Sequence, residues 1–447
     1  MSAGPALLTE EPPLQHSAPG AAPLPGAASD PPLRVGLLAY RGNPRSGGQG
    51  VYVRHLSRAL TALGHRVEVI SGPPYPEVDD GVSLTRLPGL DLYREPDPFR
   101  LPRLSEFRSA VDALEFALMC TAGFPEPLTF SLRAWCHLRG RISRFDVLHD
   151  NQGLGYGMLA LARSAVPVLA TIHHPIPIDR QIDIAHAASW RRRATLCRWY
   201  GFTRMQRRVA RRLPRLLTVS ETARQDIVRT MGVHPARIHA VPLGVDADLF
   251  RPLQAVVPVP GRIVATTSSD VPLKGLVTLI RAMPRVRERH PGAHLIVVGT
   301  PRRDGEVARA LAELDLDGAV RFHSRVSEQR LVELYAQAEV AAVPSLYEGF
   351  CLPAVEAMAC GTALVATTGG ALPEIAGEDG RTAVLVPPGD FRRLATALVA
   401  TLGDPGLRRR VGTAGRRRAL ELFTWEAAAR RTAAHYREVI AAGSPRC

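Results

Sequence analysis

Apolar and polar positions follow one rhythm along the chain, repeated in two halves. Short apolar runs closed by Gly, Pro or polar residues read as buried strands, and apolar residues between them fall at helical spacing. Order begins at Leu33 with LRVGLLAY, a strand, followed by the loop RGNPRSGGQG at 41–50. Val51, Leu56, Leu60 and Leu63 then lie near one helical face. Gly64 and His65 end that helix, and RVEVIS at 66–71 is the next strand. This β-loop-α-β unit is the building block of a parallel sheet. Residues 72–145 are rich in Pro and aromatics, with short helices predicted at 105–120 and 128–142. Strands return at 146–150, 166–173, 215–220 and 238–243. Ser220 and Glu221 open a helix, a hydroxyl N-cap followed by an early acid.

Residues 246–261 hold prolines without periodicity and read as a linker, after which the pattern restarts. Strands are predicted at 262–268, 293–299, 319–324, 339–345, 362–367 and 383–387, and helices at 405–422 and 424–442 close the chain. The fold class is therefore α/β, built as two Rossmann-like doubly wound domains facing a central cleft. A chain of 447 residues is too long for one ordinary core, which agrees with two large domains. Residues 1–30, rich in Pro, Ala and Gly, read as a disordered tail.

Composition narrows the function classes. The net charge of +14 points to anionic partners. The 6 cysteines form no CxxC pair, so neither a zinc site nor a disulfide framework is indicated. No apolar run reaches transmembrane length, and the N-terminus lacks a signal-peptide pattern, so the sequence predicts a cytoplasmic protein.

The chemistry gathers in SLYEGFCLPAVEAMACGTALVATTGGALPE, residues 345–374. Glu348 lies in a loop at a strand's C-terminal end, and Glu356 about one turn into the following helix. Two carboxylates so placed can reach one ligand from both ends. Carboxylates suit sugar or ribose hydroxyls, and the helix N-terminus suits a phosphate. An isolated pair at this spacing is more often surface charge.

This pair is not isolated. Together with GGQGVYVRHL, TIHHP, LLTVSE, VPLGVDADLF, PLKGL and VPPGD, the stretch resembles glycosyltransferase family 4, retaining enzymes of the GT-B type. The resemblance covers about residues 33–440. It implies transfer of a sugar from a nucleotide-sugar donor to a hydroxyl acceptor, with retention and without a divalent metal or other cofactor. It also implies roles for the parts. Residues 31–245 become an acceptor-side domain and 262–422 a nucleotide-sugar-binding domain. The last helix, in 423–447, packs back toward the first domain. Glu348 contacts the transferred sugar and Glu356 the ribose, and backbone amides of Gly349, Phe350, Cys351 and Leu352 meet the donor.

Lys274, at a strand-to-helix junction, can neutralise a diphosphate, and the resemblance gives it that role. The family's usual arginine, five or six residues earlier, is replaced by Ser269 and Ser268; Arg224 is a candidate stand-in. Gly47, Gly48 and Gly50 form a glycine-rich loop that alone is as well read as a tight turn or a phosphate cradle; the resemblance implies that it touches the donor phosphates and the acceptor. His173 ends a strand where the family places a cleft histidine, and His174 and Asn151 are candidates to line the acceptor pocket. No metal site is expected.

The arginine-rich stretch from Arg191 to Arg215, interleaved with Leu196, Trp199, Phe202, Met205, Val209 and Leu213, has the pattern of an interfacial amphipathic helix for an anionic membrane. A solvated helix whose apolar residues face the core fits equally well, and no nucleic-acid motif accompanies the charge. Two other functions stay open on the sequence. One is a nucleotide-sugar epimerase or hydrolase on the same fold. The other is a non-catalytic basic protein binding membrane or nucleic acid.

Overall fold

The computed structural model describes residues 31–43, 48–94, 97–185, 187, 189–267, 271–302, 304–316 and 318–443. The predicted tail at 1–30, Gly47, Ser268, Ser269 and Cys447 lie outside them. From Leu33 onward the chain forms one contact unit containing two parallel sheets. The first holds β1 (Arg34–Ala39), β2 (Arg66–Ser71), β3 (Ser83–Arg86), β4 (Val147–Asn151), β5 (Val168–Ile172), β6 (Arg215–Thr218) and β7 (Ile238–Ala240). Their spatial order is β3-β2-β1-β4-β5-β6-β7. The second holds β8 (Arg262–Thr266), β9 (His294–Val298), β10 (Val320–His323), β11 (Val340–Val343), β12 (Ala363–Thr367) and β13 (Val384–Val386), in the order β10-β9-β8-β11-β12-β13. Each order reverses once, between β1 and β4 and between β8 and β11. Ligands of open parallel sheets bind at that switch, outside the strands' carboxyl ends.

The central strands β4, β5 and β12 are buried at every position, because helices cover both faces. β5 and β12 accordingly read as apolar runs, whereas β4, VLHDN, also buries His149, Asp150 and Asn151. β3 was not predicted: its SLTR sequence is half-exposed and carries no apolar run. It pairs only with β2 and forms the sheet's edge.

Ten of the helices among the described residues carry the contacts below. In chain order they are α1 (Gly48–Ala62), α2 (Ala110–Cys120), α3 (Glu126–Leu138), α4 (Trp190–Trp199), α5 (Phe202–Ala210), α6 (Glu221–Met231), α7 (Leu276–Arg289), α8 (Leu352–Ala359), α9 (Leu372–Ala376) and α10 (Trp425–Ala441). After the second sheet, α10 returns to the first and packs on α1. Trp425 stacks on His55 with ring centroids 5.1 Å apart, and the Tyr436 hydroxyl lies 2.7 Å from His149 Nδ1. Gly244 permits the crossing, since a Cβ there would stand 2.1 Å from the Trp425 nitrogen. A continuous apolar cluster therefore runs through both halves and includes Leu56, Val264, Val355 and Trp425.

Of the two readings of the arginine-rich stretch, the structure supports the one whose apolar residues face the core. It forms two helices, α4 and α5, whose Leu196, Met205 and Val209 are buried in the core, as is Leu213 after them. Trp199 and Phe202 pack on Phe124. An interfacial helix needs those side chains outside, so the amphipathic pattern here reports core packing. The arginines 191–193, 204, 207, 208, 211 and 212 face solvent, with Trp190 exposed at their head. Among the described residues no helix is long and apolar enough to cross a membrane.

Candidate active site

β11 ends at Val343, and the loop after it carries Ser345 and Glu348 before α8 opens at Leu352. Cys351, the N-cap of α8, has φ of 97°, a conformation costly for a residue with a Cβ. Its thiol is buried, and burial pushes the thiol pKa well above its ordinary value. Phe350 is also buried and packs edge-on against Phe423. These two side chains anchor the loop while its backbone and Glu348 face the switch point.

Glu348 is 8% exposed and meets Lys274 directly. Lys274 Nζ donates to Glu348 Oε1 at 2.8 Å and Oε2 at 2.9 Å, across 74 residues of sequence. Ser345 Oγ adds a hydrogen bond to Oε1 at 2.7 Å. Lys274 rides on a 3-10 turn after β8, closed by Gly275 with φ of 65°. A Cβ on Gly275 would stand 2.0 Å from the Pro344 carbonyl oxygen, and Leu346 N donates to Leu273 O at 2.7 Å. The two loops are thus clamped backbone to backbone. Burial pulls the Lys274 pKa down, the Glu348 carboxylate pulls it up, and the net shift is up, so the ammonium persists at neutral pH.

Glu356 projects from α8, half-buried, and accepts from the Tyr335 hydroxyl at 3.2 Å. Burial without a cationic partner raises its pKa to about 7. Tyr335 also bonds Thr266 at the end of β8, so Glu356 belongs to the same sheet edge as Lys274.

The first domain supplies the opposite wall. His173 follows β5, and its Nε2 lies 2.6 Å from Asn151 Oδ1 at the end of β4. The Tyr52 ring meets His173 edge-on with centroids 4.5 Å apart. Burial lowers the His173 pKa to about 3, which keeps the ring neutral. His174 Nε2 pairs with Asp179 Oδ1 at 2.7 Å, and Asn151 Nδ2 reaches the Gln49 carbonyl at 3.4 Å. In the glycine loop, Gly48 is exposed at the start of α1, whereas a Cβ on Gly50 would stand 2.0 Å from the Asn43 carbonyl oxygen. Gly50 is therefore fixed by close backbone approach.

The two walls touch. A Cβ on Gly349 would lie 3.0 Å from the His173 carbonyl oxygen, and Ser220 Oγ donates to the Gly349 carbonyl at 2.6 Å. Tyr347 donates its hydroxyl to Asp226 on α6. Glu374 on α9 accepts from the first amides of α6, Glu221 N at 2.8 Å and Thr222 N at 2.7 Å, and from the Thr222 hydroxyl. Free amides at a helix N-terminus favour a carboxylate, here supplied from the other domain.

The structure brings Lys274, Glu348, Gly349, His173 and His174 to one junction. It does not bring Arg224 there as a diphosphate cation. The Arg224 guanidinium is held within its own helix by Glu221, with contacts of 2.6 to 2.9 Å. Sequence reasoning gave no role to Ser345, Tyr347 or Glu374. Glu374 closes the quoted motif, but its partner lies 153 residues upstream, so the motif alone held no signal of the contact. Among the described residues no cluster of three or more His, Cys, Asp or Glu could hold a metal ion.

Comparison with known proteins now identifies the frame. The model for "Glycosyltransferase Family 4" matches residues 46–249, and that for "Glycosyl transferases group 1" matches residues 261–404. The chain is similar to the MMP alpha-(1->4)-mannosyltransferase of Mycolicibacterium hassiacum, 51% identical over 92% of this chain and 99% of that one. It is 30% identical to a D-inositol 3-phosphate glycosyltransferase of Kribbella flavida, over 92% of this chain and 97% of that one. Among solved structures, sucrose-phosphate synthase from Thermosynechococcus elongatus superposes with a TM-score of 0.69 at 25% identity, covering 92% of this chain and 100% of that one. Anabaena HepE in complex with UDP-glucose shares the fold at a TM-score of 0.64 and 15% identity, covering 91% of this chain and 100% of that one. Two parallel sheets in GT-B arrangement, matched by these relatives along nearly the whole length, show that the chain belongs to glycosyltransferase family 4 and is a glycosyltransferase using a nucleotide-sugar donor.

Proposed function

We propose that the enzyme transfers mannose from a nucleotide diphosphate donor to the 4-hydroxyl of a saccharide acceptor, forming an α-linkage with retention and without a metal. The observation that carries the reading is the Lys274–Glu348 pair, clamped at the second sheet's switch point against the first domain's histidine loop. The relative named for α-(1→4) mannosyl transfer supplies the sugar and the linkage.

The chemistry follows from the charges. A leaving diphosphate develops negative charge, and the half-buried Lys274 ammonium beside Glu348 can stabilise it. Donor entry shares Lys274 between phosphate and Glu348, which frees carboxylate lone pairs for a hydroxyl of the transferred sugar. Neutral His173, whose Nε2–H donates to Asn151 Oδ1, has Nδ1 left to accept one hydrogen bond from a sugar hydroxyl without adding charge. Glu356 takes the ribose hydroxyls. Glu348 is engaged by Lys274 and Ser345 and is not poised as a nucleophile. The acceptor oxygen then attacks from the leaving group's face, and the departing phosphate takes its proton.

Thermal shift against GDP-, UDP- and ADP-linked sugars identifies the donor, because only a ligand that binds the folded state raises the melting temperature. GDP-mannose or another nucleotide mannose is expected to give the largest shift. NMR of the product should show an α-(1→4) bond, formed equally well with EDTA present. Release of free sugar alone, or an inverted anomer, would overturn the reading. We further propose a cytoplasmic enzyme that visits the inner membrane face through its outward arginines and exposed Trp190. Binding to anionic vesicles that ignores salt or lipid charge would sink that part.

A further inference from the structure

A second polar cavity lies at the carboxyl ends of β1, β2 and β3, on the first domain. Its walls include Tyr40 after β1, Gly72 after β2, Asp91 beyond β3, Glu115 on α2, and Glu126 and Arg133 on α3. It has a volume of about 10 Å³, room for one hydroxyl-sized group. Glu126 is 5% exposed and lines the space, yet its Oε2 accepts no hydrogen bond among the described residues. Arg41 Nε stands 3.6 Å from it, too far for a hydrogen bond, and donates to no other partner among them. One oxygen of Asp91 is likewise unsatisfied. Buried polar atoms left unpaired are costly, so an acceptor on the cavity wall with an unpaired donor 3.6 Å from it calls for a group that both accepts and donates. A hydroxyl is such a group.

We propose that this cavity is an outer acceptor subsite that holds a hydroxyl of a neutral saccharide or polyol between the Glu126 carboxyl and the Arg41 guanidinium. The proposal rests on the glycosyl-transfer reading above. Charge decides against a phosphorylated acceptor. Arg133 is already shared by Asp112 and Glu115, which leaves Arg41 facing Glu126 and Asp91. Burial raises the Glu126 pKa to about 8, so this carboxyl can also donate a hydrogen bond to a sugar oxygen. A chain of hydrogen bonds runs from the cavity wall to the cleft. The Tyr40 hydroxyl accepts from Gln49 Nε2, the Gln49 carbonyl from Asn151 Nδ2, and Asn151 Oδ1 meets His173. Gly72 keeps the wall thin, since a Cβ there would stand 2.8 Å from the Tyr40 carbonyl oxygen.

The test uses the full-length enzyme with a nucleotide mannose donor and two acceptor probes, methyl α-mannoside and inositol 3-phosphate. Glu126→Gln and, beside it, Arg41→Gln are each expected to raise the methyl mannoside KM at least tenfold while the donor KM moves less than twofold. Wild-type enzyme is expected to prefer the neutral acceptor. An unchanged acceptor KM in both variants, or equal rises in both KM values, would overturn the subsite. Preference for inositol 3-phosphate would overturn its chemical class. Absence of transfer by wild type to either probe and to water would instead count against the functional reading.

Discussion

The carboxylate of Glu374 joins the two domains at one point, and its removal has a calculable effect. It accepts two backbone N–H bonds at 2.8 and 2.7 Å, plus the Thr222 hydroxyl, all from the first turn of α6. Its own helix α9 follows the Gly369–Gly370 turn, whose Ala371 N donates to the Glu348 carbonyl at 2.9 Å. Tension on Glu374 is therefore tension on the loop that carries Glu348. Glu374→Gln keeps one acceptor oxygen but turns an NH2 toward an amide donor. The loss is one charge-assisted hydrogen bond, about 2 kcal/mol. If the closed arrangement is the reactive one, that energy lowers kcat/KM about 30-fold. The assay is initial-rate transfer from a nucleotide mannose, with Thr222→Val and the double variant completing a cycle. The double variant should be no worse than Glu374→Gln alone, because both act on one contact. Glu374→Gln activity within twofold of wild type would refute the argument that this contact holds the catalytic loop.

Other consequences are read with different measurements. Glu348→Gln leaves Lys274 without its counter-charge and the sugar without a carboxylate; turnover should fall at least ~100-fold, and retention of a tenth of wild-type rate would contradict the assigned role. Gly275→Ala places a Cβ 2.0 Å from the Pro344 carbonyl oxygen at a φ of 65°, which should cost roughly 2 kcal/mol or more in urea unfolding; an unchanged midpoint would show that the clamp is not rigid. His149 is fully buried between Thr171 and Tyr436, and burial lowers its pKa to about 3. A histidine depressed in the folded state is protonated first on unfolding, so stability falls as pH drops below the unfolded value of about 6.5. Relative to wild type, His149→Gln should lose that dependence, a difference of about 1.4 kcal/mol per pH unit between pH 3 and 6.5. Parallel pH profiles of the two proteins would refute it.

The alternation of strand and helix was written in the sequence, because parallel strands covered on both faces must be continuous apolar runs and their turns need Gly, Pro or capping hydroxyls. The same local logic marked the strand ends beside which Glu348, Lys274 and His173 lie, but only the resemblance of the motifs to glycosyltransferase family 4 gave these residues and Glu356 their expected roles. β3 escaped because an edge strand with half-exposed polar residues carries no run. The arginine-rich segment left two readings open because helical periodicity says that a face is apolar, not whether it meets core or lipid. What only the tertiary structure decided are the pairings of residues far apart in sequence. Lys274 with Glu348, Glu374 with the α6 amides, α10 with α1, and the unpaired Glu126 beside Arg41 all depend on strand order. Strand order is fixed by how two whole sheets bury their faces, and no local spacing contains that information.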